Sequence, residues 1–266
     1  MTTASELLAL DVAALGAKLR SRELSPVEVT RAYLDRIKAT EPKLNAYVTV
    51  TAESALEQAR AAEREIAAGR WRGPFHGVPI ALKDLMYTKG IRTTAGSKIL
   101  SEFVPDFDAT VWTRLREAGA ILLGKLNLHE FACGGTSKSS NFGAVHNPYA
   151  TDRIPGGSSG GSAAAIVARS ALATLGTDTR GSIRVPAALC GCVGLKPTYS
   201  RVSRFGVFPL AYTLDHVGPI TRTVRDAALM LNVIAGHDPN DSTSSRRPVP
   251  DFAAQLDGNL KGTKIE

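Results

Sequence analysis

Along the chain, short apolar runs of strand length alternate with segments of helical pattern. The first seventy residues read as helical. "LSPVEVTRAYLDRI" opens on a capping box, Ser25 to Glu28, with Pro26 at the first helical position. "TAESALEQARAAEREIAAG" is built from strong helix formers, and Gly69 stands where a helix C-cap is expected. From Gly77 the texture changes. "GVPIALKD" is a short apolar run bounded by turn residues, which predicts a strand. "DATVWTRLREAGAILLGKLN" predicts a helix, a glycine turn and a buried strand over 120–123. "GSAAAIVARS" then reads as helix, "ALATLGTD" as strand, and "VPAALCG" as a short helix with Pro186 at its first position. "TRTVRDAALMLNVIAGHDP" is an amphipathic helix, with Thr223 as N-cap and Gly236 as C-cap.

This alternation predicts an α/β protein with a covered, largely buried sheet. The change of texture divides a helical segment, 1–70, from an α/β core, 71–266. No internal repeat is found. Residues 238–251, rich in Pro, Ser, Asp and Arg, read as the one linker-like segment, and "LKGTKIE" resembles the opening of another strand.

Composition narrows the function classes. The chain has 266 residues, 44% of them hydrophobic, enough for one large core or two. Net charge is +7, but the basic residues are scattered apart from Arg246–Arg247. No basic stripe interleaved with aromatics points to nucleic acid, so direct binding of it is not expected. The cysteines are Cys133, Cys190 and Cys192: an odd number, without C-x-x-C spacing. They read as buried thiols of a reducing compartment. Neither a signal peptide nor a membrane span is visible, and the expected location is the cytoplasm.

The candidate chemistry starts at "RIPGGSSGGSAAA". A run of glycine and serine normally reads as a flexible linker. This one leads straight into an apolar helix, so a structural turn and a catalytic loop are both open. Downstream, "LGTDTRGSIRVPAALCG" places Ser182 between a strand and a short helix. There the backbone N–H groups of Thr179, Arg180, Gly181 and Ser182 could converge on one point as an oxyanion hole. Lys83 ends the apolar run "VPIALK". Such a lysine is usually a snorkelling edge residue; if buried, it becomes a neutral general base. Asp84 reads as a turn or cap residue, and Asp178 with Arg184 as a structural pair fixing the Ser182 loop.

Three imitations are set aside. "GGSSG" and "GSSGG" fit a nucleophile elbow, with Ser158 or Ser159 attacking and Asp178 and His216 or His237 completing a triad, but "NPYATDRIP" is no strand to enter it. "GAILLGKL" lacks the Ser or Thr of a phosphate loop, and "HEFAC" lacks the second histidine of a zinc helix. All five histidines read as surface or hydrogen-bonding residues.

Taken together and in order, "GVPIALKD", "GGSSGGSAAA" and "GTDTRGSIRVPAALCGCVGLKPT" resemble the amidase signature family, over almost the whole chain. The serines stand in the family's register, 182 − 158 = 24 residues apart. The resemblance implies a mixed, twisted central sheet covered by helices on both faces. It implies a Ser-Ser-Lys triad with Ser182 as nucleophile, Ser158 as bridging serine after a cis Gly157–Ser158 bond, and Lys83 as base. The backbone around Gly134, Gly135 and Thr136 is expected to line the substrate pocket, and neither cofactor nor metal is expected. Arg180 departs from the family's usual glycine; an arginine at positive φ would be strained, and tolerance of the side chain is the expectation. Leu126 departs from an expected threonine.

Two activities compete within the family. One is a free amidase acting on a small-molecule amide, alone or as a homodimer. The other is the A subunit of a tRNA-dependent amidotransferase, a glutaminase working with partner subunits. "FACGGTSKSSNFGAVHNPY" favours the first, which is the first reading, while the segment from "KPTYSRVSRFG" onward favours the second. The chain is also shorter than complete members, which implies an incomplete core and leaves an inactive remnant as the non-enzymatic alternative.

Overall fold

The computed structural model describes residues 3–254, 256, 258, 259 and 261–264. The chain runs α1 (Ala4–Ala9), α2 (Val12–Arg20), α3 (Pro26–Leu44), β1 (Tyr47–Val50), α4 (Ala52–Ala67), β2 (Pro79–Lys83), α5 (Thr110–Glu117), β3 (Ile121–Leu126), α6 (Gly160–Val167), β4 (Ala173–Asp178), α7 (Arg184–Cys190), β5 (Val193–Gly194), β6 (His216–Thr221) and α8 (Val224–Ile234). The strands form one mixed sheet in the order β1-β3-β2-β4-β6-β5. β2 lies parallel to both β3 and β4; β1, β5 and β6 pair antiparallel. Every residue of β2, β3 and β4 is buried. Successive side chains of a strand point to opposite faces, so these central strands are covered on both sides.

Local chemistry sets the helix ends. Ser25 accepts the N–H groups of Val27 and Glu28 ahead of Pro26, and its own hydroxyl donates to Glu63. Thr223 accepts from Asp226 N. Gly69, at φ 75°, follows the cap residue Ala68, and Gly236, at φ 125°, follows the cap residue Ala235. Along α3, Val29, Tyr33, Ile37 and Leu44 make the buried stripe.

Four expectations are corrected. The first seventy residues are not wholly helical: β1 lies there, paired with β3 at the sheet edge. It is short and only its first residue is buried, so its apolar signal is faint. The buried strand expected at 120–123 begins one residue later and runs on to Leu126, through Gly124 and a buried Lys125. Helix α7 starts at Arg184, so Pro186 is its third residue, still within the first turn where a missing N–H costs nothing. Residues 238–251 do not behave as a linker. Asp238 and Asp241 are buried and accept from Thr110, Ser203 and Thr243 side chains and from the Arg204 N–H. The strand expected at "LKGTKIE" falls partly outside the described residues; Lys261–Gly262 is a turn and no strand is assigned over 261–264.

Candidate active site

Lys83, Asp178 and the turn carrying Ser182 all sit at the carboxyl ends of the parallel strands β2 and β4, where α/β sheets place their ligand crevices. Lys83 is fully buried. Its Nζ lies 2.7 Å from Ser158 Oγ and 2.7 Å from Thr177 Oγ1. Loss of water pushes its pKa down to about 7, against the upward pull of the Asp178 and Asp215 charges. The amine is therefore uncharged in a large fraction of molecules near neutral pH.

The glycine-serine run is the reverse of a linker. All eight residues from Pro155 to Ser162 are buried, and the Gly157–Ser158 bond is cis. Gly156, Gly157 and Gly161 are there because neighbouring backbone comes too close for anything larger, and at Gly160 the Ser137 side chain does. A Cβ on Gly157 would lie 2.8 Å from Thr136 N; one on Gly161 would lie 2.5 Å from Ala46 O and closer still to Asn127 O. Its serines are there as fasteners. Ser159 Oγ donates to Thr177 O and accepts from Thr177 N, each at 3.2 Å, and Ser162 Oγ donates to Leu175 O at 3.2 Å. Both tie the start of α6 to β4, and Ser158 is fixed between them and Lys83. Gly161→Ala should therefore destabilise the fold by about 1–3 kcal/mol through overpacking, read as a lower urea midpoint at unchanged m-value.

The turn after β4 is organised by Asp178. Its buried carboxylate accepts Gly181 N at 2.7 Å, Ile183 N at 3.1 Å and Arg184 N at 3.3 Å, and binds the Arg184 guanidinium at two points of 3.0 Å. Burial opposes the charge, but these donors outweigh it and hold the carboxyl below its ordinary range. One correction follows: Gly181 N–H is directed at Asp178, so the four expected backbone donors do not all converge on one free point. The N–H groups of Arg180 and Ser182 meet no protein acceptor among the described residues. Positive φ, 122°, belongs to Gly181 and not to Arg180, so the arginine is unstrained.

Ser182 opens on a cavity of about 350 Å³ shared with Gly134, Gly135, Gly157 and Arg180. Thr136 is off this wall, with Oγ1 3.4 Å from His129 Nδ1. Ser159 N donates to Ser182 O at 3.2 Å, which brings the two serine segments side by side; no hydrogen bond joins Ser158 Oγ to Ser182 Oγ among the described residues.

The imitations separate cleanly. His216 Nδ1 lies against Leu214 O and Asp178 O, and His237 Nδ1 against Ser244; neither is hydrogen-bonded to Ser158 or Ser159 among the described residues. Lys125 Nζ bonds Met86 O and Thr93 Oγ1 and lies 3.5 Å from Asp84, leaving nothing for a phosphate. Among the described residues no group of three metal-binding side chains is assembled. Cys190 is buried, but Cys133 is exposed on the rim of the Ser182 cavity, which corrects the reading of all three thiols as buried. Sequence reasoning missed Thr177, the second partner of Lys83, and Asp215, which accepts from Thr179 Oγ1 at 2.6 Å. The signal for Thr177 was a polar residue inside the apolar run "ALATLGTD"; Asp215 had none.

Comparison with known proteins fixes the family. The model of the family described as Amidase matches residues 28–265. The chain belongs to the amidase family. This amidase-family chain is 60% identical over 260 residues to the A subunit of the glutamyl-tRNA(Gln) amidotransferase of Geobacter sulfurreducens, covering 98% of the chain and 53% of that protein. Among solved structures, it resembles a protein from a vestigial complex that bears on the origins of an s-triazine catabolic enzyme, at TM-score 0.92 and 40% identity, covering 95% of this chain and 56% of that one. It also resembles the peptide amidase of Stenotrophomonas maltophilia, at TM-score 0.88 and 44% identity, covering 92% of this chain and 52% of that one. The chain thus spans about half the length of the curated relatives it matches. No helix among the described residues is long and apolar enough to cross a membrane.

Proposed function

We propose that the site hydrolyses carboxamides through a serine acyl-enzyme. The observation that carries this reading is the 2.7 Å contact between a fully buried amine, its pKa lowered to about 7, and the Ser158 hydroxyl. A neutral Lys83 takes the Ser158 proton as Ser158 takes that of Ser182; Ser182 Oγ attacks the amide carbon. The N–H groups of Arg180 and Ser182, pointing at no protein acceptor, stabilise the oxyanion. The proton returns through the same relay to the departing nitrogen, and water then cleaves the ester. Gly134 and Gly135 offer backbone to the substrate across the cavity.

A second reading has its own support. The 60% identity with the A subunit of a glutamyl-tRNA(Gln) amidotransferase exceeds the 44% with a peptide amidase. It favours glutamine as the amide, with the ammonia passed on to partner subunits. The experiment that tests the site is covalent labelling. A sulfonyl fluoride should add once to the chain and map to Ser182 by peptide mass, with Ser182→Ala unlabelled, and ammonia should be released from glutamine or a simple carboxamide. Label on Ser158 or Ser159, or no label with no ammonia, would overturn the mechanism.

A further inference from the structure

The cavity that holds Ser182 carries one cation and no acid on its wall among the described residues. Gly134, Gly135, Gly157, Val185 and Leu210 make the rest of that wall largely small or apolar. The cation is Arg180, exposed and two residues before Ser182, with no hydrogen bond or ion pair among the described residues. The two carboxylates bordering the turn are taken. Asp178 is filled by Arg184 and three N–H groups, and Asp215 accepts from Thr179 Oγ1 and the N–H groups of Leu210 and Ala211. Lys83 is buried and is not part of this wall.

We infer that Arg180 is a specificity-determining residue, selecting carboxamides that carry a carboxylate on the acyl side. The inference rests on the amide-hydrolase reading above. A guanidinium presents two parallel N–H donors that match a carboxylate, and an unpaired one loses no protein partner on binding. With the amide carbon at Ser182, a carboxylate at the far end of a short acyl chain meets the positive charge of Arg180. The substrate class is the monoamide of a short dicarboxylic acid.

The test compares glutaramate with the neutral pentanamide as substrates of the 266-residue chain and of Arg180→Gln and Arg180→Lys. Both substrates use the same backbone donors, so general damage to the turn cancels in the ratio of their kcat/KM values. The wild-type ratio should favour glutaramate and fall roughly 10-fold in Arg180→Gln, the loss expected of one two-point charged contact. Arg180→Lys should recover part of it, and added salt should shrink the wild-type preference. A ratio unchanged in Arg180→Gln overturns the inference. A second arm separates this from failure of the hydrolase reading itself. Glutaramate is titrated by calorimetry into Ser182→Ala with Arg180 intact and with Arg180→Gln. Binding that weakens with the arginine lost supports the inference even if no amide is cleaved; equal or absent binding in both overturns it.

Discussion

Lys83→Met should lower kcat/KM for any amide the chain cleaves by roughly 10³–10⁴-fold, the scale of losing a catalytic base together with its relay. Methionine fills the same volume beside Ser158 and Thr177 but cannot accept a proton. Lys83→Arg is the sharper comparison, because a guanidinium stays charged at all accessible pH. It should be as inactive as methionine, although it keeps a cation near that place. The wild-type pH profile should rise through a limb near 7 and flatten above it, since the protonated amine below its pKa of about 7 is no base. Stability gives an independent readout. The folded pKa lies below the ordinary lysine value of 10.5, so the unfolded chain binds this proton more tightly between about 7 and 10.5. Wild-type stability therefore gains with rising pH across that window, and this contribution levels off below about 7, where both states hold the proton. Lys83→Met should make the slope shallower, with the lowered Lys125 still contributing in the same direction. Full activity in either variant would remove Lys83 from the mechanism.

Asp178→Ala should cost about 3 kcal/mol or more of folding free energy. The buried carboxylate accepts three backbone N–H groups, and each orphaned donor costs roughly 1–3 kcal/mol where water cannot reach it. The Arg184 pair adds less, because that guanidinium is 54% exposed and screened. Urea denaturation reads the loss. The sign with pH follows from a carboxyl held below its ordinary range: the stabilisation is complete above the unfolded value near 4 and disappears as pH falls through the lower folded value. Wild type and variant should therefore converge in strong acid. Because Ser182 rides on this turn, ammonia release should fall with stability; a variant of unchanged urea midpoint would show that the turn is held by something else.

Much of the architecture was legible because it is written in local chemistry. The strands at Pro79–Lys83 and Ala173–Asp178 are apolar runs between turn residues, and α8 announces itself through Thr223. What escaped was set by tertiary contact. β1 is four residues with one buried, β6 carries Gly218 and Pro219 and takes its place through pairing with β4, and the 238–251 segment looks like linker until its aspartates find Thr110 and Ser203. At the site, residue types and order drew attention to Lys83, Ser158 and Ser182, but only coordinates place the Lys83 amine against Ser158 and Thr177. They also direct the Gly181 N–H at Asp178, a contact added to the expected Asp178–Arg184 pair.

The wedge at Gly161 has a mechanical corollary. The helix that anchors Ser158 begins hard against the backbone oxygens of Ala46 and Asn127, and Asn127 N is itself bonded to Ala46 O at 2.8 Å. Fraying of the outermost strand just beyond Ala46 would thus loosen the footing of the relay hydroxyl, so the reaction centre and the periphery of the sheet share one hinge of rigidity.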